Sequence, residues 1–398
     1  MAKQDQKQLE IINIGIVGHI DHGKTTLLER LSGKWTDTHS QELKRGITIK
    51  LGYADIILYK DGNSYNRSGK GEAIRHVNFV DAPGHEMLMA TMLSGAAIID
   101  AAILVVAANE GIKPQTIEHL MALQAKNIKH IIVVQNKIDL VSAEQAKKNY
   151  GDIKNLLKDK YEKAQIIPVS AQQQVNIDEI YKAISELEIP KRNTEGIPVF
   201  LVARSFDVNK PGITPDKLSG AVLGGTLKQG TLKVGDGIEI KPGILIKEAN
   251  QFKYKTLHGK VLKLFNGTRQ VVFLVPGGSM SIETSLDMSL GKADALVGNV
   301  VSHEGKLPDL SNNTNIKYNL FPEVYGAGGH VKVEPLKASE SLMLSVNTSM
   351  TLGVVKHIRL NNIEFNLKVP IILFKGDNVG IARNINGHWR LIGYGEIV

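Results

Sequence analysis

The first 190 residues alternate between short apolar runs and segments with helical periodicity. The apolar runs cover residues 11–18, 76–82, 101–108, 130–136 and 164–170, and the helix-like segments include 24–32, 114–127 and 142–160. Strands that are apolar on both faces and separated by helices are typical of a parallel sheet covered on both sides. The loops that follow such strands meet at one edge of the sheet. The pattern therefore predicts a mostly parallel, doubly wound α/β domain with a site built from loops 18–25, 81–85, 136–139 and 170–172.

The pattern changes after residues 188–198, a polar linker that contains Pro and Gly. Glycine becomes frequent, and short runs of alternating polar and apolar residues dominate, which is typical of antiparallel β-structure and predicts two β-barrels. A polar, turn-rich stretch at 301–315 marks the boundary between them. We therefore expect a flexible N-terminus at 1–10, an α/β domain at 11–190, and β-barrel domains at 191–300 and 301–398.

Composition excludes several classes of protein. The chain has no cysteine, which rules out disulfides, thiolate zinc sites and thiol nucleophiles. The N-terminus is polar and does not resemble a secretory signal. The longest apolar run, 96–108, contains Asp100 and is shorter than the ~20 residues that a membrane helix needs. These features favour a cytoplasmic protein that does not enter a membrane.

The net charge of +8 is concentrated in the second half of the chain, which carries +7 after residue 196. The most basic tract, 241–272, holds seven Lys or Arg residues and one Glu, interleaved with Phe252, Tyr254 and Phe265. Cations bind RNA phosphates and aromatic rings stack on exposed bases, so this tract could contact RNA. The alternative is a barrel hairpin whose lysines are merely solvated and whose aromatic rings face inward.

Residues 18–26, GHIDHGKTT, match the phosphate-binding pattern G-x-x-x-x-G-K-[ST] in its required place, after a strand and before a helix. Gly18 and Gly23 would let backbone amides approach phosphate oxygens, and the helix N-terminus favours an anion. Lys24 would place its charge on the β- and γ-phosphates, and the Thr25 hydroxyl would bind Mg²⁺.

The NKID sequence at 136–139 follows the fourth predicted parallel strand. The Asp139 carboxylate can accept hydrogen bonds from both N1–H and the exocyclic amine of guanine, which adenine cannot donate there. Asn136 can reach the base and support the phosphate loop, and the Lys137 stem can lie along the ring. The tripeptide SAQ, 170–172, would close over the base.

Two further segments supply groups for the terminal phosphate. Thr48, in RGITI (45–49), offers a second hydroxyl for Mg²⁺ in a loop that hydrolysis would release. In DAPGH (81–85), Asp81 would hold Mg²⁺ through a water molecule, and the Gly84 amide would contact the γ-phosphate. His85 would then orient the attacking water, since phosphoryl transfer depends mainly on positioning and electrostatics. A histidine that merely packs at this turn is the alternative.

Together, GHIDHGKT, RGITI, DAPGH and NKID resemble the motifs of the translational GTPases. Within that superfamily, ELKRGITIKLGYAD, DAPGHEMLMATMLSGAAIIDAAILVVAANEG, RSFDVNKPG, LMLSVNTSMTLGVV and WRLIGYGEI resemble the gamma subunits of archaeal and eukaryotic translation initiation factor 2. The resemblance covers nearly the whole chain beyond residue 10. It implies a GTPase domain followed by two β-barrels, as in elongation factor Tu.

The resemblance also implies a function and a set of site residues. Such a subunit joins an alpha and a beta subunit, binds methionyl initiator tRNA with GTP, and delivers it to the small ribosomal subunit and mRNA; GTP hydrolysis to GDP, slow without partners, releases it. Carried over by motif, the phosphate-binding residues are Asp21, His22, Gly23, Lys24, Thr25 and Thr26, and those at guanine are Asn136, Lys137, Asp139, Ser170, Ala171 and Gln172. Asp21, with the Gly46 carbonyl, could hold a second Mg²⁺.

The chain departs from this family at residues 58–76, where many relatives carry a cysteine zinc knuckle. Without cysteine, zinc is not expected there. Lys60, Arg67, Lys70 and Arg75 could form a basic loop that touches RNA, or the segment could be a mobile surface loop.

Two other functions share much of this motif set. One is a different elongation factor Tu-like GTPase, either a carrier of a special tRNA or the GTPase subunit of a sulfate-activating enzyme. The other is a scaffold with a relic nucleotide pocket. The complete set Lys24, Thr25, Thr48, Asp81 and Asp139 argues against a relic.

Overall fold

The fold is that of a computed structural model, which describes residues 9–35, 51–82, 89–209, 212, 214, 218–248, 251–324 and 331–398. Most of the N-terminus predicted at 1–10 therefore lies outside the described residues. The first strand begins at Glu10.

A seven-stranded sheet forms the first domain, in the order β3-β2-β4-β1-β5-β6-β7. Its strands are β1 (Glu10–Gly18), β2 (Gly52–Asp61), β3 (Ser64–Asn66), β4 (Glu72–Asp81), β5 (Ala101–Ala107), β6 (His130–Asn136) and β7 (Gln165–Pro168). Strands β4, β1, β5, β6 and β7 are parallel, whereas β2 is antiparallel to both of its neighbours. The five apolar runs of the sequence are the five parallel strands, which confirms the predicted mostly parallel sheet.

Helices cover both faces of this sheet. The described helices are α1 (Lys24–Ser32), α2 (Met89–Ala96), α3 (Pro114–Ala125), α4 (Ala143–Leu157) and α5 (Ile177–Glu186). Apolar side chains of α2, α3 and α4 share one core with Val17 of β1, whereas those of α1 and α5 share a second core with Ile14 and Ile16. Alternate residues of one strand thus enter opposite cores, as the pleat requires. None of the described helices is long and apolar enough to cross a membrane.

The first barrel is a ring of six strands in the order β11-β16-β8-β9-β15-β12, which closes through pairing of β11 with β12. Together with the short strands beside it, this region contains β8 (Val199–Phe206), β9 (Val222–Gln229), β10 (Leu232–Lys233), β11 (Gly237–Glu248), β12 (Gln251–Asn266), β13 (Arg269–Val271), β14 (Phe273–Leu274), β15 (Met280–Thr284) and β16 (Val300–His303).

The second barrel closes in the order β17-β22-β21-β20-β23-β24. Its region contains β17 (Ser311–Leu320), β18 (Glu323–Val324), β19 (Val331–Lys332), β20 (Ser341–Val346), β21 (Ser349–Arg359), β22 (Asn362–Ile371), β23 (Asn378–Ile385) and β24 (His388–Ile397). The sheet and the two barrels confirm the predicted fold class. A boundary between His303 and Ser311 fits the strand pairing better than one at 300/301, because β16 extends to His303 and pairs with β8 and β11.

Partly buried polar contacts attach the linker and the first barrel to the first domain. In the interdomain linker, Arg192 makes a two-pronged ion pair with Asp100, at 2.9 and 2.6 Å. In the first barrel, the Arg204 guanidinium donates to the backbone carbonyl of Leu51, at 2.8 Å. Leu51 is the first described residue after the segment that contains RGITI, so the first barrel contacts the chain just beyond the predicted switch loop.

Residues 58–76 lie largely in β2, β3 and β4. The Asn66 side chain orders the remaining turn, since its Oδ1 accepts from the amide and hydroxyl of Ser68, at 3.0 and 2.9 Å. Arg75 is buried and donates to the carbonyl of Ile184 at 2.5 Å. The hypothesis that Arg75 contacts RNA is therefore wrong.

Candidate functional site

The loop between β1 and α1 lies so close to its neighbours that two positions leave no space for a side chain. At Gly18 (φ 140°), a Cβ would lie 2.3 Å from the carbonyl oxygen of Val105 on β5. At Gly23 (φ 88°), a Cβ would lie 2.4 Å from Nδ2 of Asn136. Both φ values are ones that only glycine adopts without strain. Helix α1 starts at the next residue, so its N-terminal end faces the loop, which makes this a place where an anion is stabilised.

Lys24, Thr25 and Asp81 lie together at the end of this loop. Lys24 is buried, and its ammonium donates to the carbonyl of His19 at 2.8 Å, across the loop. The Thr25 hydroxyl donates to Oδ2 of Asp81 at 3.3 Å. Asp81 is the last residue of β4, which pairs with β1 and so brings this carboxylate beside the loop. A hydroxyl and a carboxylate side by side are hard oxygen donors, a set that fits Mg²⁺.

Two buried histidines hold the loop in place, His22 within the loop and His119 on α3. Nδ1 of His22 lies 3.3 Å from the Val105 carbonyl, and burial lowers the pKa of His22 to about 3. Nδ1 of His119, on α3, accepts a hydrogen bond from the Gly18 amide at 2.8 Å. Burial, and then the nearby Lys24 ammonium, lower the pKa of His119 to about 3. Both imidazoles are therefore neutral at physiological pH, and the Lys24 ammonium is a positive charge close to both rings.

Sequence reasoning missed His119. The available signal is its position in the buried stripe of α3, between Thr116 and Leu120, which recurs at the spacing of a helix turned toward a core. A histidine in such a stripe needs a hydrogen-bond partner. The sequence does not indicate which one, because the Gly18 amide lies 101 residues away along the chain.

Asn136 connects three loops of the site. It is the last residue of β6, and its Nδ2 donates to the carbonyl of His22 at 3.0 Å. Its Oδ1 accepts from the amide of Ala171 at 3.0 Å. Both hydrogen bonds are buried, so one side chain attaches the NKID and SAQ segments to the phosphate loop.

The residues that follow Asn136 differ from it in exposure. Lys137 has a left-handed backbone (φ 60°) and starts a short 3-10 helix, Ile138–Leu140, which leaves Asp139 exposed to a ligand. The Lys137 ammonium lies 3.6 Å from the Glu110 carboxylate, a partner that sequence reasoning did not identify. On the far side Ser170 is fully buried, and its hydroxyl accepts from the Gln173 amide at 3.2 Å.

The structure thus gathers most of the predicted site residues at the carboxyl edge of the parallel strands. Asp21 is exposed with a left-handed backbone (φ 59°), Thr26 is half-buried in α1, and Gln172 is exposed. Four predicted residues lie outside the described residues: Gly46, Thr48, Gly84 and His85. Among the residues that are described, no group of three or more His, Asp or Glu side chains could by itself hold a metal ion.

Comparison with known families supports this arrangement over most of the chain. The family of the elongation factor Tu GTP binding domain matches residues 9–190. The family of the C-terminal region of initiation factor eIF2 gamma matches residues 312–397. The first match includes the whole of the seven-stranded sheet, and the second includes the second barrel from the second residue of β17 onward.

Relatives with high identity extend over the full chain. Translation initiation factor 2 subunit gamma of Archaeoglobus fulgidus is 50% identical over 97% of this chain and 94% of its own length. The protein of the same name from Methanocaldococcus jannaschii is 48% identical and covers 100% of both chains.

Two solved structures share the three-part architecture. A bacterial selenocysteine-specific elongation factor, EF-Sec, is 26% identical with a TM-score of 0.78; the match covers 98% of this chain but only 58% of that one. Elongation factor SelB from Methanococcus maripaludis, in complex with the GTP analogue GPPNHP, is 25% identical with a TM-score of 0.74, over 98% of this chain and 79% of that one. By its full-length identity to the archaeal factors, and by the family matches at both ends, this chain belongs to the gamma subunits of translation initiation factor 2, GTP-binding proteins within the translational GTPases.

Proposed function

We propose that the loops at the carboxyl edge of the sheet bind GTP with Mg²⁺, and that this GTPase carries methionyl initiator tRNA to the small ribosomal subunit and mRNA in its GTP-bound state. The observation that carries the proposal is the pair of buried hydrogen bonds of Asn136. They hold the segment expected to select guanine directly against the loop expected to bind phosphates.

The phosphate end of the proposed pocket consists of residues 18–26. Backbone amides of the loop bind the phosphate oxygens, and Lys24 exchanges its contact with the His19 carbonyl for the β- and γ-phosphates. Thr25 and Thr48 would hold Mg²⁺, and Asp81 would do so through a water molecule. When bound, the metal neutralises charge on the terminal phosphates. A second Mg²⁺ at Asp21 and the Gly46 carbonyl remains a prediction, supported only by the exposure of Asp21.

The base end discriminates guanine from adenine. The exposed Asp139 carboxylate accepts from N1–H and the exocyclic amine, whereas adenine would leave the carboxylate poorly paired, at about 1–3 kcal/mol. Lys137 lies along the ring, held by Glu110. Ser170, Ala171 and Gln172 close the pocket, and the Asn136 contact sets the position of Ala171.

Hydrolysis uses Gly84 and His85, which follow Asp81, the last residue of β4, in the sequence. Gly84 contacts the γ-phosphate and His85 orients the attacking water, without acting as a strong base. The substitution His85→Ala should leave GTP affinity unchanged and slow ribosome-stimulated hydrolysis sharply. Single-turnover hydrolysis on ribosomes measures this, and undiminished turnover would show that the water is positioned by another group.

RNA binding is supported by the exposed basic side of the first barrel. Lys253, Lys255 and Lys260 are exposed on β12, and Phe252 beside them is 68% exposed, so the alternative in which this ring faces inward is wrong for Phe252. Affinity for RNA falls as the salt concentration rises. Replacing the three lysines by alanine should make the plot of log affinity against log salt less steep, by up to about 0.9 for each lost phosphate contact.

A matched control for that experiment is available on α4. Lys147, Lys148 and Lys154 are also exposed but belong to the first domain. Their triple alanine variant removes the same charge outside the first barrel and should keep the wild-type slope. Equal slopes for both variants would remove the RNA role of β12.

The test of the whole proposal is filter binding in the presence of the alpha subunit, with the beta subunit added to complete the heterotrimer. Methionyl initiator tRNA should be retained with GTP and released with GDP, and charged elongator tRNA should not be retained. Retention of another tRNA instead would favour a special tRNA carrier; the structural neighbour EF-Sec is a selenocysteine-specific elongation factor. Binding that is the same with either nucleotide would refute a GTP-switched carrier.

A further inference from the structure

Strands β11 and β12 continue past the pairing that closes the first barrel and form a two-stranded arm, residues 244–248 and 251–255. The two strands of the arm pair with each other at five consecutive positions. The pairing of β11 with β16 ends at Lys241, and that of β12 with β15 starts at Val261. Within the described part of the chain, no third strand therefore pairs with the arm. A two-stranded ribbon is only marginally stable by itself in water, so a partner that covers the arm would stabilise it.

The register of the arm separates its aromatic rings from two of its lysines. Directly opposite residues of an antiparallel pair share a face, and successive residues alternate between faces. One face, which we call the aromatic face, consists of Leu245, Lys247, Phe252 and Tyr254. The other, which we call the lysine face, consists of Ile244, Ile246, Glu248, Gln251, Lys253 and Lys255.

The aromatic face continues the outer surface of the first barrel. Along β12, Tyr254 alternates in phase with the exposed His258, whereas Lys255 is in phase with the buried Leu257. Phe252 is 68% exposed and Leu245 is 52% exposed. Large apolar side chains grouped on one exposed face are typical of a surface that binds a partner.

The charge of the arm and the spacing of its rings fit unpaired RNA. The arm contains three lysines and one glutamate, which favours a polyanion. Phe252 and Tyr254 are two residues apart on one strand, so their side chains leave the backbone about 7 Å apart. Successive nucleotides of a duplex strand rise by only about 3.4 Å, so this spacing suits bases that are splayed apart, as in a single strand. Lys247 lies directly opposite Phe252, and its ammonium can bind the phosphate beside a base on that ring.

The aromatic face lacks the side chains that read base edges. The amide of Gln251 and the carboxylate of Glu248 belong to the lysine face. Stacking on an aromatic ring is tolerant of sequence, because every base has a π-face. The aromatic face therefore favours an RNA whose sequence varies, as in messenger RNA, over the fixed 3′ end of a tRNA.

We propose that the aromatic face binds unpaired messenger RNA, with bases stacked on Phe252 and Tyr254 and a phosphate on Lys247. The inference goes beyond the carriage of initiator tRNA, because it assigns a second RNA to the side of β12 opposite Lys253 and Lys255. It does not depend on the nucleotide site.

Matched variants separate the two faces. Lys247→Ala and Lys253→Ala remove the same charge from the aromatic face and from the lysine face. Phe252→Ala removes a ring from the aromatic face, and Phe252→Tyr keeps one there. Phe273→Ala is the control for the loss of an exposed ring elsewhere in the same domain, since Phe273 is 47% exposed on β14. All four substituted side chains are exposed, so the variants should fold.

The assay is fluorescence anisotropy of a labelled oligouridine of about 12 nucleotides with a 5′-hydroxyl, titrated with the full-length chain without nucleotide. Phe252→Ala should weaken binding by about 5- to 140-fold, whereas Phe252→Tyr and Phe273→Ala should stay close to wild type. Lys247→Ala should make the plot of log affinity against log salt less steep by about 0.7, and Lys253→Ala should keep the wild-type slope. Binding of an RNA duplex of the same length should not depend on Phe252.

Several results would overturn the inference. These are equal affinity of Phe252→Ala and wild type, or equal slopes for Lys247→Ala and Lys253→Ala. If the alpha or beta subunit protects the arm from hydrogen exchange while Phe252→Ala keeps its affinity for oligouridine, the aromatic face belongs to a protein interface instead. Displacement of oligouridine from the wild type by initiator tRNA would show that the face holds the tRNA. If initiator tRNA does not bind but oligouridine binding depends on Phe252, the proposed function is refuted and this inference stands.

Discussion

The substitution Asn136→Ala separates the structural role of this side chain from any contact with a base. It removes two buried hydrogen bonds at once, one from Nδ2 to the His22 carbonyl and one to Oδ1 from the Ala171 amide, both 3.0 Å long. The three loops of the site lose a shared anchor even when no nucleotide is bound.

The size of the effect follows from the burial of both contacts. A buried group that loses its partner costs about 1–3 kcal/mol, so the two orphaned groups together destabilise the loops by about 2–6 kcal/mol. For the Ala171 amide alone, about 1–3 kcal/mol favours local opening and predicts exchange about 5- to 150-fold faster than in wild type.

The assay is hydrogen–deuterium exchange of nucleotide-free protein, read on peptides that contain Ala171 and the loop 19–23. Asn149→Ala is the matched control, because Asn149 is also a buried asparagine of this domain but its Oδ1 accepts from the Gln135 side chain, at 2.8 Å. The control should leave exchange at Ala171 unchanged.

A second readout completes the test of Asn136. GDP affinity of Asn136→Ala should fall in parallel with the loss of protection at Ala171. If affinity falls while exchange stays at the wild-type rate, Asn136 acts only through the base, and the reasoning from its two buried hydrogen bonds is wrong.

Three further predictions concern other parts of the site. Asp139→Asn should weaken GTP and favour xanthosine triphosphate, whose base has a carbonyl where guanine has its amine; a titration with unchanged guanine preference would contradict the contact. Gly18→Ala should abolish nucleotide binding, since its Cβ would lie 2.3 Å from a carbonyl oxygen, whereas Gly151→Ala, with no atom within 4 Å, should bind normally in the same fluorescence titration. The pKa of both His22 and His119 is depressed from 6.5 to about 3 in the folded state. The contribution of these two neutral imidazoles to the free energy of unfolding should therefore be fully present above pH 6.5 and should be lost as the pH decreases toward 3. At pH 5 each imidazole should lower the free energy of unfolding by about 2 kcal/mol relative to its value above pH 6.5. A thermal midpoint that does not change between pH 7.5 and 5 would show that the folded protein accepts these protons.

The elements of the first domain were predictable because their signals are local. Apolar runs on both faces, separated by helical periodicity, specify a covered parallel sheet without any long-range information. The loop after β1 was equally clear, since Gly18, Gly23, Lys24 and Thr25 must stand at fixed spacing between a strand and a helix. The antiparallel β2–β3 hairpin was not predicted, because residues 58–76 are polar and lack a strong alternating pattern.

The contacts that hold the site together depend instead on residues far apart in the chain. His119 reaches Gly18 across 101 residues, and Glu118 reaches Arg390 across 272. Arg75 lies in a polar segment of the sequence, which suggests an exposed residue. Its burial depends on α5, which packs over the sheet and accepts its hydrogen bond at the Ile184 carbonyl. Motif and periodicity identify which residues meet a ligand. The tertiary structure decides which buried groups hold those residues in place. A buried polar side chain needs a hydrogen-bond partner, and the sequence around it does not show which distant residue supplies that partner.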